Sequence, residues 1–421
     1  MIHTTTLFPG ITLHHYPDSR FKQSCLSLQL VRLATKEESA MNALIPAILL
    51  RGCESTPDIR SITLRLDELY GASIGALVRR VGDYQTTGLY CNFIGDRYTM
   101  ESEGLLSPMA AFLKELLLHP LTENGGFRKD FVDSEKKNLI ATIQSQLNNK
   151  RAYASRQLLN DLCANDPFGL PRLGYEEDVA AIDPVTLYHH YQKILKESRI
   201  DLFYVGDQDP KVVAETIKTV FAEVDRSYVN LPGQTPFQGG KEGKRVETME
   251  VAQGKLCLGF ATPITLVDPR YGAMQVFNTL FGGGMTCKLF QNIREKRSLC
   301  YDIGSGYYGT KGLVTVSAGI DCDKDELVQE LILKELEDCR KGEITDEELL
   351  SAKESLTSSL QSTHDSPGAI EGYYATGLLS GFRITPAEYI DRIRAVTKED
   401  VMEAAKLLQL KCVYFLKGVE E

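Results

Sequence analysis

Apolar and polar positions alternate along the chain with two periods, one typical of helices and one typical of strands. A helix is predicted after Pro57-Asp58, where four apolar residues have amphipathic spacing: Ile59, Ile62, Leu66 and Leu69. Gly71 ends this helix, and two apolar segments around a Gly82-Asp83 turn follow, the second over residues 88–94. The pattern therefore predicts a helix followed by a β-hairpin.

A similar succession appears in the second part of the chain. A helix is predicted over residues 286–298, followed by a strand, a glycine-rich turn at 309–312 and a second strand over 313–320. Longer helices are predicted over residues 134–148 and 346–363. Because helices and strands occur in clusters and do not alternate strictly, each part of the chain is predicted to be an α+β domain.

Four segments of the first part recur in the same order in the second. The offsets between the paired segments drift only from 214 to 224. The pairs are 88–89 with 312–313, 113–116 with 333–336, 143–145 with 360–362, and 182–187 with 396–401. Each match alone is weak, but their common order predicts an internal duplication with small insertions.

The chain of 421 residues is too long for one ordinary hydrophobic core, so at least two domains are expected. The segment 231–244 (LPGQTPFQGGKEGK) is rich in glycine, proline and polar residues and is the predicted linker. The predicted boundaries are therefore 1–230 for the N-terminal half, 231–244 for the linker and 245–421 for the C-terminal half.

Composition narrows the class of protein. A formal net charge of -10 argues against nucleic acid as a partner, because phosphate binding requires a basic surface. The most apolar short segment, residues 43–50, is too short to cross a bilayer, and no signal sequence is recognised at the N-terminus. The ten cysteines stand singly, which favours reduced thiols. We therefore expect a cytoplasmic protein without a membrane or nucleic-acid partner.

Two segments resemble signatures of the pitrilysin/insulinase-like peptidase family. Residues 43–53 (ALIPAILLRGC) resemble the flank of the family's motif helix, in which His-x-x-Glu-His precedes an apolar stretch, a basic residue and glycine. Residues 282–301 resemble the signature of the second half, a glycine-rich turn and a helix ending in Arg and Tyr seven residues apart. The resemblance implies two homologous α+β halves, each a mixed or antiparallel sheet packed with helices, that face each other as a clamshell.

The metal-binding positions of the family are occupied by other residue types. The two histidines and the glutamate of the motif fall on Ala43, Pro46 and Ala47, and the third ligand falls on Thr142. A methyl group cannot bind zinc or accept a proton, and a threonine hydroxyl is a poor zinc ligand. The resemblance therefore implies a non-metal-binding member, which binds no cofactor itself and leaves zinc to a partner chain.

The histidines offer no alternative metal site in the sequence. No two of the seven have the i, i+4 spacing that places ligands on one helix face. The adjacent pairs His14/His15 and His189/His190 point to different faces of any regular element, and we expect them to be exposed to solvent.

The second signature places Arg294 and Tyr301 at the positions of the family's substrate-binding pair. In the resembling enzymes these residues hydrogen-bond the substrate backbone and the developing oxyanion. Without the motif, the same residues would be read as an arginine on a solvated helix face and a tyrosine anchoring a strand. Gly282-Gly283-Gly284 lacks the residues of a phosphate-binding loop and is interpreted as a turn between helices with unusual backbone angles.

Two functions fit these features. In the first, the chain is a catalytically incomplete subunit that pairs with a His-x-x-Glu-His homologue and supplies Arg294 and Tyr301 in trans. Its substrates would be peptides or unfolded segments, held as an added strand on a sheet edge. In the second, it is a non-proteolytic binding or scaffold protein of the same fold. The sequence leaves open which protein the partner is and whether the assembly is a homodimer or a heterodimer.

Overall fold

The computed structural model describes residues 2–100 and 104–418. The first part of the chain forms eight strands: β1 (His3–Phe8), β2 (Ile11–Pro17), β3 (Gln23–Leu33), β4 (Ser73–Val81), β5 (Tyr84–Ile94), β6 (Thr122–Glu123), β7 (Gly126–Phe127) and β8 (Arg199–Gly206). Its helices are α1 (Lys36–Leu49), α2 (Ile59–Glu68), α3 (Leu106–Leu118), α4 (Lys129–Asn148), α5 (Lys150–Leu162), α6 (Glu176–Ala181), α7 (Pro184–Glu197) and α8 (Pro210–Phe221).

The second part repeats this succession with five strands: β9 (Gly243–Met249), β10 (Gly254–Ala261), β11 (Cys300–Tyr308), β12 (Leu313–Ile320) and β13 (Gln409–Gly418). Its helices are α9 (Tyr271–Gly282), α10 (Asp325–Lys341), α11 (Asp346–Ser362), α12 (Pro367–Leu379), α13 (Pro386–Ala395) and α14 (Lys398–Lys406). A π-helix, Phe290–Glu295, lies between α9 and β11. The predicted long helices and both predicted hairpins are confirmed.

The two main sheets share one topology. The first sheet has the strand order β1-β2-β8-β3-β5-β4, and the second has the order β11-β12-β10-β13-β9. Read backwards, the second order matches the first from β2 onward, position by position. The directions also agree, because β2 pairs parallel with β8 as β9 does with β13, and the other pairings are antiparallel. The α+β class is confirmed, and the shared topology is that of two homologous halves.

Short local signals set the hairpins and several helix ends. Gly82 adopts a φ of +56° in the two-residue turn between β4 and β5, which a residue without Cβ adopts at low cost. Asp58 caps α2, accepting from the Ser61 backbone N–H at 2.7 Å. Thr345, Thr385 and Thr397 cap the helices α11, α13 and α14 in the same way. These side chains explain why the boundaries were readable from sequence.

The chain separates into two compact units that each contain a segment of the other half. One unit comprises residues 1–144, 170–234 and 364–376, and the other comprises 145–169, 235–363 and 377–421. The main change of unit, at 234/235, falls inside the predicted linker. The continuous halves 1–230 and 245–421 differ from these units, because residues 145–169, with helix α5, and residues 364–376, with most of α12, are exchanged. Helices α5 and α12 are equivalent, since both bounds differ by 217 residues.

The exchanged helices cover the face of each sheet that is turned away from the main core. In β3, Leu26, Leu28 and Leu30 belong to the core of the first unit, while the alternate residues Ser27 and Gln29 meet α12. In β10, Leu256, Leu258 and Phe260 belong to the core of the second unit. The alternate residue Cys257 packs with Leu158 and Leu162 of α5.

The two exchanged helices are held by different chemistry. Glu371 of α12 is buried and accepts from Ser27 Oγ at 2.8 Å and Gln29 Nε2 at 2.6 Å. Arg79 of β4 donates to both carboxylate oxygens of Glu371, at 2.9 and 2.7 Å. Helix α5 instead contacts the centre of its sheet through apolar residues and adds an ion pair between Asp161 and Arg245 of β9. The duplication has therefore kept the topology and changed the residues that make the contact.

All ten cysteines lie in the described part of the chain as free thiols, and nine are buried. Burial raises the pKa of Cys25, Cys163 and Cys257 to about 12, so these thiols stay protonated at neutral pH.

Among the described residues, no helix has the length and apolar character that a bilayer crossing requires.

Candidate functional site

Helix α1 carries the three positions that the family resemblance predicts to correspond to the zinc motif. It starts at the N-cap Thr35, whose side chain accepts from the Glu38 backbone N–H. Ala43 and Pro46 are buried, and Ala47 is half-buried. The helix continues across Pro46 to Leu49, so the segment is helical and offers no metal-binding side chain at these three positions.

The structure compensates for the backbone N–H that Pro46 lacks. In an uninterrupted helix this N–H would donate to the carbonyl of Asn42, four residues earlier. Here the hydroxyl of Thr87, on β5, donates to Asn42 O at 2.5 Å. A buried carbonyl that would otherwise lose its partner is thus satisfied by a side chain from the neighbouring strand.

The Asn42 side chain extends this polar contact. Its Nδ2 donates to Gln85 Oε1 at 3.0 Å, and its Oδ1 lies 2.8 Å from His190 Nε2 on α7. Burial lowers the pKa of His190 to about 4, so the imidazole is neutral at physiological pH. The polar groups that surround this part of α1 are therefore neutral amides, hydroxyls and imidazole, bonded to one another.

The fourth position does not offer a ligand either. Thr142 lies exposed on α4, and its hydroxyl donates to the Asn138 carbonyl of the same helix at 2.9 Å. Glu135, on the same helix, forms an ion pair with Arg51 at 3.3 Å. Two methyl groups, a pyrrolidine ring and a self-bonded hydroxyl do not fit a zinc ion, and no catalytic step is assigned to a metal on this chain.

Within residues 2–100 and 104–418, no three His, Cys, Asp or Glu side chains converge as a metal-binding group.

The expected exposure of the histidine pairs is wrong for three of the four residues. His14, His15 and His190 are buried, and only His189 is exposed. His14 and His15 alternate across β2, where His14 stacks on Phe203 and His15 meets Tyr204 edge-on, so each is covered by an aromatic neighbour on β8.

Arg294 lies in the π-helix between α9 and β11. The N–H of Lys296 donates to Gln291 O, five residues earlier, at 3.1 Å, which is the π pattern. The Nε of Arg294 donates to the backbone carbonyl of Tyr301 at 3.0 Å, and Nη1 bonds Glu295 at 3.0 Å. The guanidinium also lies 4.6 Å from the ring centre of Phe290. These contacts fix the guanidinium while Nη2 has no hydrogen-bond partner among the described residues.

Tyr301 lies at a β-bulge in the edge strand β11. Cys300 pairs with Ile320 and Asp302 pairs with Gly319, so Tyr301 is the extra residue between them. Its side chain is 55% exposed, and its hydroxyl lies 3.0 Å from Oδ1 of Asp321. The hydrogen bond and the charge of Asp321 raise the pKa of Tyr301, so the phenol stays protonated and can donate.

Three backbone irregularities occur within twelve residues around this pair. They are the π-helix, the positive φ of +54° at Ser298 and the bulge at Tyr301. Each departs from regular geometry and tends to occur at functional sites. The predicted helix over 286–298 is therefore shorter and differently wound. The structure brings Arg294 and Tyr301 together, whereas their roles stay a prediction.

The glycine-rich turn does not have the unusual backbone angles that the sequence predicts. None of Gly282, Gly283 and Gly284 adopts a positive φ. A Cβ at Gly282 would lie 2.5 Å from Ser305 Oγ, and one at Gly283 would lie 2.6 Å from the Thr279 Cα. At these two positions glycine is required by close packing and not by unusual backbone angles.

Residues that support the π-helix were not identified from sequence. Asn292 Nδ2 donates to the buried carboxylate of Glu335 on α10 at 2.8 Å. Lys288 is buried and pairs with Glu348 at 2.9 Å. The sequence did contain a signal, because Lys288 and Asn292 are four residues apart and share one helix face. Their partners Glu335 and Glu348 lie on distant helices, so the contacts could not be predicted.

Comparison with known proteins identifies the family of the chain. A family model described as "Peptidase M16 inactive domain" matches residues 181–356. The chain is 31% identical over 411 residues to the "Probable inactive metalloprotease YmfF" of Bacillus subtilis, covering 98% of this chain and 96% of that protein.

Two solved structures have the same fold over the whole chain. A conserved protein from Enterococcus faecalis V583 superposes with a TM-score of 0.92 at 30% identity, covering 100% of this chain and 99% of that one. A peptidase M16 inactive domain from Pseudomonas fluorescens superposes with a TM-score of 0.83 at 19% identity, covering 100% and 98%. The chain therefore belongs to the peptidase M16 family of pitrilysin/insulinase-like enzymes, as a homologue of a probable inactive metalloprotease, and its own sequence contains no His-x-x-Glu-His motif.

Proposed function

We propose that this chain is the catalytically incomplete subunit of a two-chain zinc peptidase. A homologous partner with an intact His-x-x-Glu-His motif would bind zinc and activate water. This chain would contribute Arg294 and Tyr301 to the same reaction, as hydrogen-bond donors to the substrate backbone and to the oxyanion. The dimer would be a heterodimer, located in the cytoplasm, and its substrates would be peptides or unfolded segments.

The observation that carries the proposal is the asymmetry between the two motif regions. The positions of the zinc motif carry Ala43, Pro46 and Ala47, and their surroundings are repacked with neutral hydrogen bonds. Arg294 and Tyr301 remain, exposed in part and held by irregular backbone. A chain that had lost every catalytic role would gain nothing from a strained, exposed donor pair.

The chemistry of the pair suits the proposed role. Arg294 is always charged and keeps Nη2 for a ligand, while its other nitrogens hold it in place. Tyr301 presents one donor on a rigid ring. Tyr301 lies in β11, an edge strand where an extended peptide could add as a further strand, and Arg294 bonds the backbone of that strand. Preorganised donors of this type typically contribute 10²- to 10³-fold to acyl-transfer rates.

The test is reconstitution with a zinc-bearing homologue from the same source. Co-purification followed by cleavage of a fluorogenic peptide measures kcat and KM of the pair. Arg294→Ala and Tyr301→Phe should each lower kcat by about 10²-fold with the complex intact. Arg297→Ala and Tyr308→Phe, which change the same residue types nearby, serve as matched controls and should have little effect.

Metal analysis of the single chain is the second part of the test. The isolated chain should carry no stoichiometric zinc and cleave no peptide, and a chelator should abolish activity only through the partner. Full activity of a pair carrying both Arg294→Ala and Tyr301→Phe would favour the scaffold function instead. Stoichiometric zinc with chelator-sensitive cleavage by the single chain would exclude the proposal.

A further inference from the structure

A small pocket in the second unit lies away from the residues discussed above. It is formed by the loop before α9, the loop between α12 and α13, and one face of α13. Its volume is about 140 Å³. An engineered apolar cavity of about 150 Å³ binds benzene, so the pocket has room for one aromatic or branched aliphatic side chain.

The inner wall of the pocket is aromatic. Tyr271 and Tyr389 stack with ring centres 5.5 Å apart and an interplanar angle of 14°. Phe382 meets both rings edge-on, at 5.5 and 5.4 Å. Tyr271 and Tyr389 are buried and so are held rigidly by packing. A rigid aromatic wall of this kind favours an apolar group with a flat or branched shape.

The rim of the pocket is positively charged. Arg383 and Arg392 both line it and are exposed, and neither forms an ion pair or hydrogen bond with another described residue. Asp268 also lines the pocket, but Arg270 engages both of its carboxylate oxygens, at 2.9 and 2.8 Å. The rim therefore carries two guanidinium groups whose charge is not neutralised by Asp268.

The remaining acids of α13 are also engaged. Glu388 accepts from the backbone N–H and the hydroxyl of Thr385, at 2.7 and 2.8 Å, where it completes a capping box. These hydrogen bonds are the main cause of its lowered pKa, and the charge of Arg392 is a smaller cause. Asp391 pairs with Arg394, at 4.0 Å. Arg392 lies one helical turn after Tyr389, so its guanidinium and the aromatic wall share one face of the helix.

From this combination we propose that the pocket binds the C-terminal residue of a polypeptide, with an aromatic or branched aliphatic side chain inside and the terminal carboxylate on Arg383 and Arg392. A C-terminal residue joins a carboxylate and an apolar side chain through a single carbon, so one ligand offers a group to the charged rim and a group to the aromatic wall. Guanidinium groups recognise carboxylates through paired hydrogen bonds, which fix orientation as well as charge. The site is independent of Arg294 and Tyr301 and does not require a partner chain.

The test uses the full chain alone and fluorescence polarisation. The probe is a dye-labelled pentapeptide, Gly-Gly-Ser-Gly-Phe, with a free C-terminus, compared with the same peptide ending in an amide. The free acid should bind at least about ten-fold more tightly, because a charge-assisted hydrogen bond is lost in the amide. A peptide ending in Gly should bind at least about ten-fold more weakly than the one ending in Phe, because the aromatic wall loses its contact.

Variants separate the pocket from general charge attraction. Arg383→Ala and Arg392→Ala should each weaken binding by about ten-fold or more, and the double variant should abolish discrimination between acid and amide. Arg394→Ala, on the same helix, is the matched control and should leave the affinity within about two-fold. Circular dichroism melting checks that each variant is folded.

Two outcomes would overturn the inference. One is equal affinity for the free acid and the amide, and the other is an equal effect of Arg394→Ala and Arg392→Ala. A competition arm with 3-phenylpropionate tests the source of the ligand, since binding as tight as that of the peptide would replace a polypeptide terminus by a free aryl acid. Because the assay contains no partner chain and no cleavage, its failure leaves the proposed peptidase function to be judged by reconstitution.

Discussion

The hydroxyl of Tyr301 lies 3.0 Å from Oδ1 of Asp321, and both side chains are exposed at the edge of the second sheet. The carboxylate therefore stabilises the protonated phenol and keeps it donating. A substrate oxyanion that takes this hydrogen bond would have to replace Asp321 as the acceptor. Asp321 thus sets the resting direction of the one donor that Tyr301 can offer.

Replacing Asp321 by Asn should lower the pKa of Tyr301 toward its ordinary value, because the negative charge that disfavours the phenolate is gone. The measurement is a pH titration of ring-labelled tyrosine by NMR, with Tyr301→Phe used to assign the resonance. Asp323→Asn changes a nearby exposed acid that pairs with Lys324 and should leave the titration unchanged. An unshifted Tyr301 resonance in Asp321→Asn would show that Asp321 does not control the phenol.

The hydrogen bond from Thr87 to Asn42 gives a second prediction, about stability. Thr87→Val removes the donor and leaves the buried Asn42 carbonyl unpaired, which should lower the free energy of unfolding by about 1–3 kcal/mol. In a Pro46→Ala background the new backbone N–H of residue 46 can donate to the same carbonyl, so Thr87→Val should cost less there.

The two substitutions form a double-mutant cycle, followed by urea denaturation. A coupling free energy of about 1 kcal/mol is expected, with the smaller effect of Thr87→Val in the Pro46→Ala chain. Thr63→Val, at an exposed threonine that bonds its own helix carbonyl, is the control and should show no coupling to Pro46. Additive effects of Thr87→Val and Pro46→Ala would contradict the compensation described above.

Much of the fold could be predicted because its signals are local. The Gly82-Asp83 turn, the Asp58 cap and the alternation of Leu26, Leu28 and Leu30 in β3 each act within a few residues. The duplication was also visible, because four paired segments keep the same order and their offsets drift only from 214 to 224. These features need no knowledge of how distant segments pack.

The exchange of α5 and α12 could not be predicted because no local signal specifies it. Each helix has an apolar face that fits either sheet by pattern alone, and the choice depends on long-range packing. A signal existed in Glu371, a single acid within the otherwise apolar helix α12. Its partners Arg79, Ser27 and Gln29 lie about 300 residues away in sequence, so the pairing was not readable.

The candidate site was only partly readable for a similar reason. The spacing of Arg294 and Tyr301 identified the pair, but the π-helix and the bulge that bring them together depend on Asn292, Glu335 and the register of β12. The predicted exposure of His14, His15 and His190 is wrong because a polar residue type does not by itself indicate solvent contact. Aromatic neighbours and a distant Asn42 bury these rings instead.

Buried histidines predict a loss of stability in mild acid. Burial lowers the pKa of His15 to about 4, below its value of 6.5 in the unfolded chain. Between these two values the unfolded chain binds more protons, so stability should fall as the pH decreases from 6.5 to about 4. His190 acts in the same direction. The contribution of His15 over this range is at most about 3 kcal/mol.

His15→Phe removes the titrating group while keeping an aromatic ring beside Tyr204. The free energy of unfolding, measured by urea denaturation in steps from pH 7.5 to 4.5, should fall less steeply in this variant. The difference in slope should correspond to at most about one proton bound on unfolding. His189→Phe, at an exposed position, should leave the decline unchanged. The same slope in His15→Phe and the unmodified chain would mean that His15 is accessible to protons in the folded state.

The carboxylate of Glu371 should be the main polar anchor of helix α12 in the first unit. Glu371→Ala leaves Arg79 without its partner and removes the acceptor for Ser27 and Gln29. Loss of one partner of a buried ion pair typically costs about 3–5 kcal/mol, and partial exposure of Arg79, 34% for its side chain, places the expected loss near the lower bound. Glu371→Gln keeps an acceptor oxygen for Ser27 and Gln29 and should lose less.

Hydrogen–deuterium exchange distinguishes a local from a general effect. Faster exchange is expected in Glu371→Ala over residues 367–376 and over strands β3 and β4, while β12 in the second unit should keep its protection. Glu354→Ala, at an exposed acid of α11, is the matched control for loss of one negative charge. If Glu371→Ala were as stable as Glu354→Ala, the apolar residues of α12, among them Ile370 and Tyr374, would hold the helix without the ion pair.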